Sequence, residues 1–287
     1  MKKSSGNEDV TILVCCHKKD YYYDGPGFLP IQVGKALHPE LDLGIQGDDE
    51  GDNISELNPN FCELTAHYWY WKNCKHSKYV GLNHYRRYFA FNKKTPYGTP
   101  FLNVDEETIQ NSNDISSIQR ILNEYDIILA KPNIYPYSLF TDYSCEHIKN
   151  DIKILEQVIH QISPEYDDSF YQVIHRNNKL SHYNMFITKN EIFEEYSEWL
   201  FKILFEVQKR VKISEYTDQA RIFGYMSERM LNVFVKQKNL KTKYLPIYKV
   251  SDDNNYSMLC NHVIAIKHSI AARIICKKHS LLRHLIH

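Results

Sequence analysis

Short apolar runs bounded by polar residues recur along the chain and predict strands. Runs of this length with no polar alternation are typical of strands that are buried on both faces of a parallel sheet. The predicted strands are 11–16, 78–82, 125–130 and 184–188.

Amphipathic stretches between these runs predict helices. Leu64, Tyr68 and Trp71 follow the i, i+4, i+7 spacing of a buried helix face, within a helix that starts at Pro59 or Asn60 and ends at Asn73. Further helices are predicted at 115–123, 137–160, 191–211 and 228–236. The pattern therefore predicts an α/β sandwich of the Rossmann type with a central, mostly parallel sheet.

Two segments have the composition of loops. Residues 47–55 read GDDEGDNIS and carry four acidic side chains, which indicate either a loop that contacts sugar hydroxyls or a solvated turn. The spacing of a calcium loop, with its closing Glu, is missing. Residues 92–118 are expected to form a polar insertion ahead of the helix at 115–123.

The stretch after Asp253 contains no acidic residue. Aliphatic residues lie there at helical spacing, among basic ones: Val263, Ile266, Ile270, Ile274, Leu281 and Leu285, with Lys267, Arg273, Lys277, Lys278 and Arg283. A basic amphipathic helix of this kind favours a membrane surface, and the alternatives are docking on the domain or a dimer interface. We divide the chain into a domain at 1–250 and a basic extension at 251–287.

The overall composition of the chain argues against several classes of function. Lys plus Arg and Asp plus Glu both number 35 in 287 residues, and a neutral chain argues against nucleic-acid binding. The seven cysteines form no CxxC pair, which fits a reduced cytosolic protein. The polar start of the chain is not a signal peptide, and no run of 18 apolar residues occurs. We expect a cytoplasmic protein, peripheral on the inner face of the membrane.

Candidate chemistry is concentrated after the strand at 78–82. His84, Tyr85, Arg86 and Arg87 follow it directly. Ligands of open α/β sheets bind beyond the carboxyl ends of the strands, and the guanidinium fork matches phosphate oxygens. The arginine doublet, Arg86 and Arg87, therefore predicts a diphosphate site. The alternative is that the two arginines lie on a solvated edge of the sheet.

Motifs in a fixed order carry a family resemblance. They include Thr11–Val14 with His17 and Lys18, Gly47–Asp48, 51–55, Cys62–Thr65 with Tyr68–Trp69, Gly81 with His84–Tyr88, Asn184–Ile187, and Gly224–Tyr225 with Ser227–Arg229. Over residues 11 to about 250 the chain resembles a family of bacterial capsular and exopolysaccharide biosynthesis proteins that was long known only as a domain of unknown function. That family includes galactofuranosyltransferases with a GT-A-like fold.

The resemblance implies a site spread over these motifs. The residues that it implies for binding of the donor and its diphosphate are His17, Lys18, Asn53, Ser55, Glu63, Thr65, His84, Tyr85, Arg86 and Arg87. Asn184 and Arg229 would meet the acceptor or sugar. Tyr143 and His147 share one face of the helix at 137–160 with Asp151, at i, i+4, i+8 spacing, and this face either lines the acceptor cleft or is a hydrogen-bonded surface. For Glu63 the alternative is a purely electrostatic role at the helix N-terminus.

No Asp-x-Asp metal motif follows the strand at 78–82, where such enzymes usually carry one. We expect Arg86 and Arg87, with His84, to replace the metal, so no cofactor is expected, although the sequence leaves Mn²⁺ or Mg²⁺ open. An inverting reaction needs a carboxylate base. Ser227 is expected to cap a helix that begins at Glu228, and Glu228 is the first candidate, before Asp48, Asp52 and Asp218.

These features predict a glycosyltransferase of capsule, exopolysaccharide or O-antigen synthesis. The resemblance implies a UDP-sugar donor, UDP-galactofuranose in particular, and a β-linked product formed with inversion on a lipid-linked or growing glycan. The alternative is a non-catalytic protein that binds sugars or nucleotide sugars in the same machinery. The sequence leaves the oligomeric state open.

Overall fold

A computed structural model describes residues 9–75, 77–112, 115–251 and 258–283. The strands are β1 (Val10–Cys16), β2 (Phe28–Gln32), β3 (Gln46–Gly47), β4 (Tyr79–His84), β5 (Arg87–Phe89), β6 (Phe101–Val104), β7 (Ile127–Ala130), β8 (Asn133–Ile134), β9 (Lys179–Leu180), β10 (Phe186–Lys189), β11 (Thr242–Leu245) and β12 (Ile247–Val250).

Helices cover both faces of the sheet. They are α1 (Asn58–Phe61), α2 (Leu64–Asn73), α3 (Glu106–Ser112), α4 (Ile115–Leu122), α5 (Leu139–Glu146), α6 (Lys149–Ile162), α7 (Asp167–Phe170), α8 (Asn190–Gln208), α9 (Thr217–Ala220), α10 (Ile222–Gln237) and α11 (Met258–Arg283). A π-helical turn, Tyr171–His175, continues α7.

The main sheet has the order β11-β7-β10-β4-β1-β2-β3. β10 runs antiparallel to β4 and β7, and the other neighbours in this order are parallel. The carboxyl ends of β1 to β4 and β7 therefore meet the amino end of β10 at one edge. β5, β6 and β12 extend the sheet beyond β4.

The apolar runs are continuous because both faces of the sheet are covered. Along β1, Leu13 and Cys15 face the core under α2, α8 and α10, whereas Ile12 and Val14 face a second core under α4. All four are at most 3% exposed. The strands predicted from these runs are confirmed within one or two residues at each end.

Four predictions differ from the structure. The helix predicted to Asn73 is broken at Cys62, whose φ of 52° ends α1 and lets α2 begin at Leu64. The helix predicted at 137–160 is also two helices, because the chain is extended at His147 (φ −135°). The insertion at 92–118 contains β6 and α3.

The fourth difference concerns Ser227. The helix α10 begins at Ile222, so Ser227 lies inside it and its hydroxyl donates to the carbonyl of Gly224 at 2.8 Å. The prediction that Ser227 caps the helix is wrong. Gly224 is a poor helix former, and this favoured a helix that begins after it. The glycine is tolerated inside α10 because α10 approaches Cys62 closely at this position.

Candidate active site

The candidate site lies at the edge where the carboxyl ends of β1 to β4 meet the amino end of β10. His17 and Lys18 follow β1, and the segment His84–Arg87 follows or ends β4. Tyr183 and Asn184 precede β10, while Glu63 stands at the N-terminus of α2. Open α/β sheets bind ligands at this edge because the loops diverge there and leave a crevice.

Two of the predicted cations are held by a shared carboxylate. Asp20 lies 3.4 Å from the Lys18 ammonium and 3.5 Å from Arg86 Nε. These two partners and the Tyr21 amide outweigh burial, so the pKa of Asp20 lies below its ordinary value. Asp20 therefore ties the loop after β1 to the loop after β4, and both cations remain partly exposed, at 52% and 41% of their side chains.

Arg87 has no such partner. Its guanidinium lies 4.4 Å from the centre of the Tyr183 ring, and its Nε is buried without a hydrogen bond. Within the described chain, no carboxylate pairs with it. A guanidinium that is oriented by an aromatic ring and keeps its donors unused is suited to bind a phosphate.

Arg221, which the sequence analysis missed, adds a further cation from α10's N-terminal side. It is exposed, and its Nε donates to Cys62 Sγ at 3.4 Å. The pKa of His17 is lowered by burial and then by the charges of Lys18 and Arg221, so both cations lie near His17. Arg221 belongs to no motif, and only the packing of α1 on α10 brings it to the site.

His84 is neutral and forms a hydrogen bond with the backbone, so it does not act as a cation. Burial lowers its pKa, and Arg87 lowers it further. Its Nε2 lies 2.7 Å from the carbonyl oxygen of Tyr183 and donates to it. The expectation that His84 supplies charge to a diphosphate is therefore not supported by its surroundings.

The turn held by His84 is strained. Tyr183 and Asn184 both have positive φ, 70° and 52°, which costs a non-glycine residue on the order of 1 kcal/mol. Glu228 Oε1 accepts from the Tyr183 amide at 2.6 Å, and Glu63 Oε1 accepts from Asn184 Nδ2 at 2.6 Å. Both carboxylates thus fix the same turn at the rim of the site.

Glu228 is ionised at neutral pH. Burial alone would raise its pKa, but His182, Arg229 and the Tyr183 amide together hold it below the ordinary value. Its Oε2 lies 3.1 Å from His182 Nδ1, and the Tyr135 hydroxyl lies 2.6 Å from His182 Nε2. A chain of polar groups therefore leads from Glu228 through His182, a residue that the sequence analysis did not select.

Glu63 is the second carboxylate of the site. The break at Cys62 places it at the N-cap position of α2, where it is half-buried. The hydrogen bond to Asn184 explains why a carboxylate stands here beyond its favourable position at the helix N-terminus. The orienting role predicted for Glu63 agrees with this contact.

The acidic loop is largely self-supporting. Asp48 is fully buried and accepts from the amides of Gly34 and Lys35 and from the hydroxyl of Ser55. Asn53 donates to the carbonyls of Asp49 and Gly51. These contacts favour structural roles for Asp48, Ser55 and Asn53.

Asp52 lies away from the strand ends. It is exposed, accepts from the Tyr68 hydroxyl at 3.1 Å, and its amide donates to Asn73. Asn73 ends α2, and Glu63 lies at the other end of that helix, roughly 15 Å away at 1.5 Å per residue. Asp52 is therefore poorly placed to be the base. Thr65, fully buried against Asn58 and Cys62, stabilises the turn that starts α2.

The predicted acceptor residues form a packed layer behind Glu228. Arg229 is buried and pairs with Asp142 at 2.7 Å, and its guanidinium lies 4.8 Å from the Tyr143 ring. His147 stacks on Tyr225 at 4.0 Å, and burial and Arg229 lower its pKa to about 4. Tyr143, Arg229 and Asn184 are too buried to contact a sugar, so this layer positions Glu228, and His147 with Tyr225 forms its accessible part.

A cavity of about 560 Å³ is lined in part by Ser181 and Asn232. Asn232 lies in it one helical turn after Glu228, and its amide donates to the carbonyls of Ser181 and Glu228. Asn177, Asn239 and Lys179 line the same cavity. Its walls are thus rich in amide groups.

Among the described residues, no three His, Cys, Asp or Glu side chains are grouped as a metal site. This leaves the expectation of a metal-independent site as a prediction. In the same part of the chain, no helix is long and apolar enough to cross a membrane.

Comparison with known proteins identifies the family. A family model described as a domain of unknown function, DUF4422, matches residues 11–239. The chain belongs to the DUF4422 family. Most of the candidate site, from His17 to Arg229, falls inside the matched DUF4422 region, and α11 lies outside it. The resemblance inferred from the motifs is confirmed at the level of the family.

A solved structure resembles this DUF4422 chain. It is the apo structure of WbbM, a bifunctional glycosyltransferase, with a TM-score of 0.74 and 31% identity. The match covers 85% of this chain but 46% of WbbM, so the chain spans about half of the protein it resembles. The predicted α/β class, with a GT-A-like, mostly parallel sheet, is confirmed. No curated protein matches the chain.

Proposed function

We propose that this protein is a glycosyltransferase that takes its sugar from a nucleoside-diphosphate sugar. The similarity to a glycosyltransferase structure over 85% of the chain carries the proposal. The cluster of Lys18, Arg86, Arg87 and Arg221 at the strand ends supports it, because a leaving diphosphate develops negative charge that fixed cations stabilise.

For the donor, we propose UDP-galactofuranose, with inversion to a β-linked product. Membership of the DUF4422 family supports this choice, since the resemblance implies that sugar. The acceptor would be a lipid-linked or growing glycan of a capsule, exopolysaccharide or O-antigen. We place the reaction at the cytoplasmic face of the membrane.

In this proposal, each residue of the site has a separate role. Arg87 and Arg86 bind the diphosphate, and Lys18 and Arg221 add charge from the facing loops, so that the cations take the part of a divalent metal. Glu228, ionised and held by Tyr183 and His182, removes the proton of the attacking hydroxyl. Glu63 holds Asn184 and with it the turn that carries Tyr183.

The test measures UDP release from a panel of UDP-sugars, including UDP-galactofuranose, in EDTA and separately with Mn²⁺. We expect release in EDTA. Arg87→Gln should slow it about 10²–10³-fold, by analogy with losing one donor to a transition-state charge. The matched control is Arg176→Gln, at an exposed arginine outside the site.

Three results would count against parts of this proposal. Release only with Mn²⁺ would refute the replacement of a metal by arginines. Equal rates in Arg87→Gln and Arg176→Gln would remove Arg87 from the site. No release from any donor, with glycan acceptors supplied, would favour a non-catalytic sugar-binding protein.

A further inference from the structure

The helix α11 docks on the domain through small and polar residues. Ala265 and Ala272 are 4% and 5% exposed, and His262 Nδ1 and His268 Nδ1 lie 2.8 Å from the carbonyl oxygens of Tyr97 and Ile134. Ser269 shares a hydrogen bond of 2.8 Å with the Tyr97 hydroxyl. The face that α11 buries is therefore not its apolar one.

The opposite face of α11 exposes a stripe of aliphatic side chains. Its members are Leu259 (74% exposed), Val263 (44%), Ile266 (42%), Ile270 (55%) and Ile274 (57%). At 100° per residue these positions fall within an arc of about 80°, whose centre lies roughly 150° from Ala265 and Ala272. An amphipathic helix that docks in this inverted orientation presents its apolar face outward.

The charges beside this aliphatic stripe are all positive. Lys267 and Arg273 are exposed and flank it on either side. The sequence adds Lys277, Lys278 and Arg283 and no acidic residue after Asp253. The side chains of residues 275–283 lie outside the described part, as do residues 284–287, so Leu281 and Leu285 of the predicted apolar face are not placed.

We propose that the aliphatic stripe of α11 binds the surface of an anionic lipid bilayer. Aliphatic side chains would enter the acyl boundary while Lys267 and Arg273 extend to the headgroups. A second copy of the chain fits less well. A coiled-coil seam through Val263, Ile266 and Ile270 would continue through Arg273 and Lys277, and two copies would bring like charges together.

This contact would also orient the candidate site. Gly98, against which Ala265 packs, lies three residues before Phe101, at most roughly 10–11 Å along the chain. The ring of Phe101 contacts that of Tyr183 at 5.8 Å, and Lys131, after β7, donates to the carbonyls of Thr95 and Pro96. α11 therefore lies at the sheet edge that carries the site. Given the proposed function, a lipid-linked acceptor would reach the site from the bilayer beside it.

The experiment is flotation of the full chain with vesicles of phosphatidylcholine, with and without phosphatidylglycerol. The variant Ile266→Gln/Ile270→Gln removes two side chains of the stripe, and glutamine keeps the helix propensity high. We expect the wild type to bind the anionic vesicles and the variant to bind them at least about tenfold more weakly. The matched control is Leu37→Gln/Tyr216→Gln, which changes two exposed apolar residues elsewhere.

Binding needs no catalysis, so this result is independent of the proposed reaction. Wild-type protein that does not float with anionic vesicles would overturn the proposal, as would equal binding by the stripe variant and the control variant. Light scattering of the same proteins adds a further arm. A stripe variant that dissociates from an oligomer but keeps its vesicle binding would assign the stripe to a second copy and refute the bilayer contact.

Discussion

At the scale of single residues, the proposed reaction depends most on Glu228. It is ionised, oriented by the Tyr183 amide, and joined through His182 to Tyr135. Glu228→Gln keeps the shape but removes the base, so transfer should fall by about 10²–10⁴-fold while UDP binding stays unchanged. Turnover and UDP affinity, from calorimetry, check this.

The control for Glu228 is Asp218→Asn, at an exposed carboxylate in α9 that the sequence analysis also considered. Unchanged turnover in Glu228→Gln would exclude Glu228 as the base. If Glu63→Gln then lost transfer, the base would be the other carboxylate at the same turn.

The sequence predicted the positions of the candidate residues better than their surroundings. Arg86 and Arg87 lie at the strand end where the pattern put them. His84 was expected to help Arg86 and Arg87 replace a metal, but burial and Arg87 lower its pKa, and its Nε2 donates to the Tyr183 carbonyl. A protonation state depends on neighbours about a hundred residues away, which no local pattern contains.

At the scale of elements, breaks in helices decide which side chains reach the site. The sequence predicted continuous helices through Cys62 and through His147, since neither position is Gly or Pro. Both predictions failed because tertiary contacts favour the break. Cys62 packs against Gly224, and His147 stacks on Tyr225. The first break is what brings Glu63 to the N-terminus of α2.

The helix α6 offers a test of burial against helix electrostatics. Asp151 lies in its first turn, where the dipole favours a charged carboxylate by about 0.3–1 kcal/mol. Asp151 is nevertheless 5% exposed, and burial raises its pKa from 3.8 to about 6. The effect of burial exceeds that of the helix dipole, because a pKa shift of this size corresponds to roughly 3 kcal/mol.

The sign of this effect follows from linkage. The folded chain binds the proton more tightly than the unfolded chain, so the stabilisation is present below pH 3.8 and is lost as pH rises through about 6. The free energy of unfolding of Asp151→Asn should therefore exceed that of the wild type by about 1–3 kcal/mol between pH 5 and pH 8. Urea unfolding at both pH values measures it. Asp168→Asn, at an exposed aspartate, should show no such pH-dependent gain, and a gain of equal size would contradict the assignment.

At the scale of the whole molecule, α11 approaches the domain closely at Gly98. Gly98 has a φ of 74°, and a Cβ there would lie within van der Waals overlap of the Ala265 side chain. Gly98→Ala should thus detach α11, seen as faster hydrogen exchange at residues 258–283, with activity on a water-soluble acceptor retained.

A second glycine controls for backbone strain. Gly44 has a φ of 70°, but a Cβ there meets nothing within 4 Å. Gly44→Ala carries a similar conformational cost, about 1 kcal/mol, without touching α11. Equal protection of 258–283 in both variants would show that Gly98 does not hold the helix.

The sequence by itself determined four strands of the main sheet (β1, β4, β7 and β10), the α/β class, the family, and the place of the arginine doublet. These depend on local periodicity and on motifs, which short-range sequence carries. Tertiary structure alone decided that Arg221 and His182 join the site, that Asp48 is buried, and that Asp52 lies at the far end of α2. It also turned α11's apolar face outward, because docking depends on the shape of a distant surface, Tyr97–Gly98, that helical periodicity cannot encode.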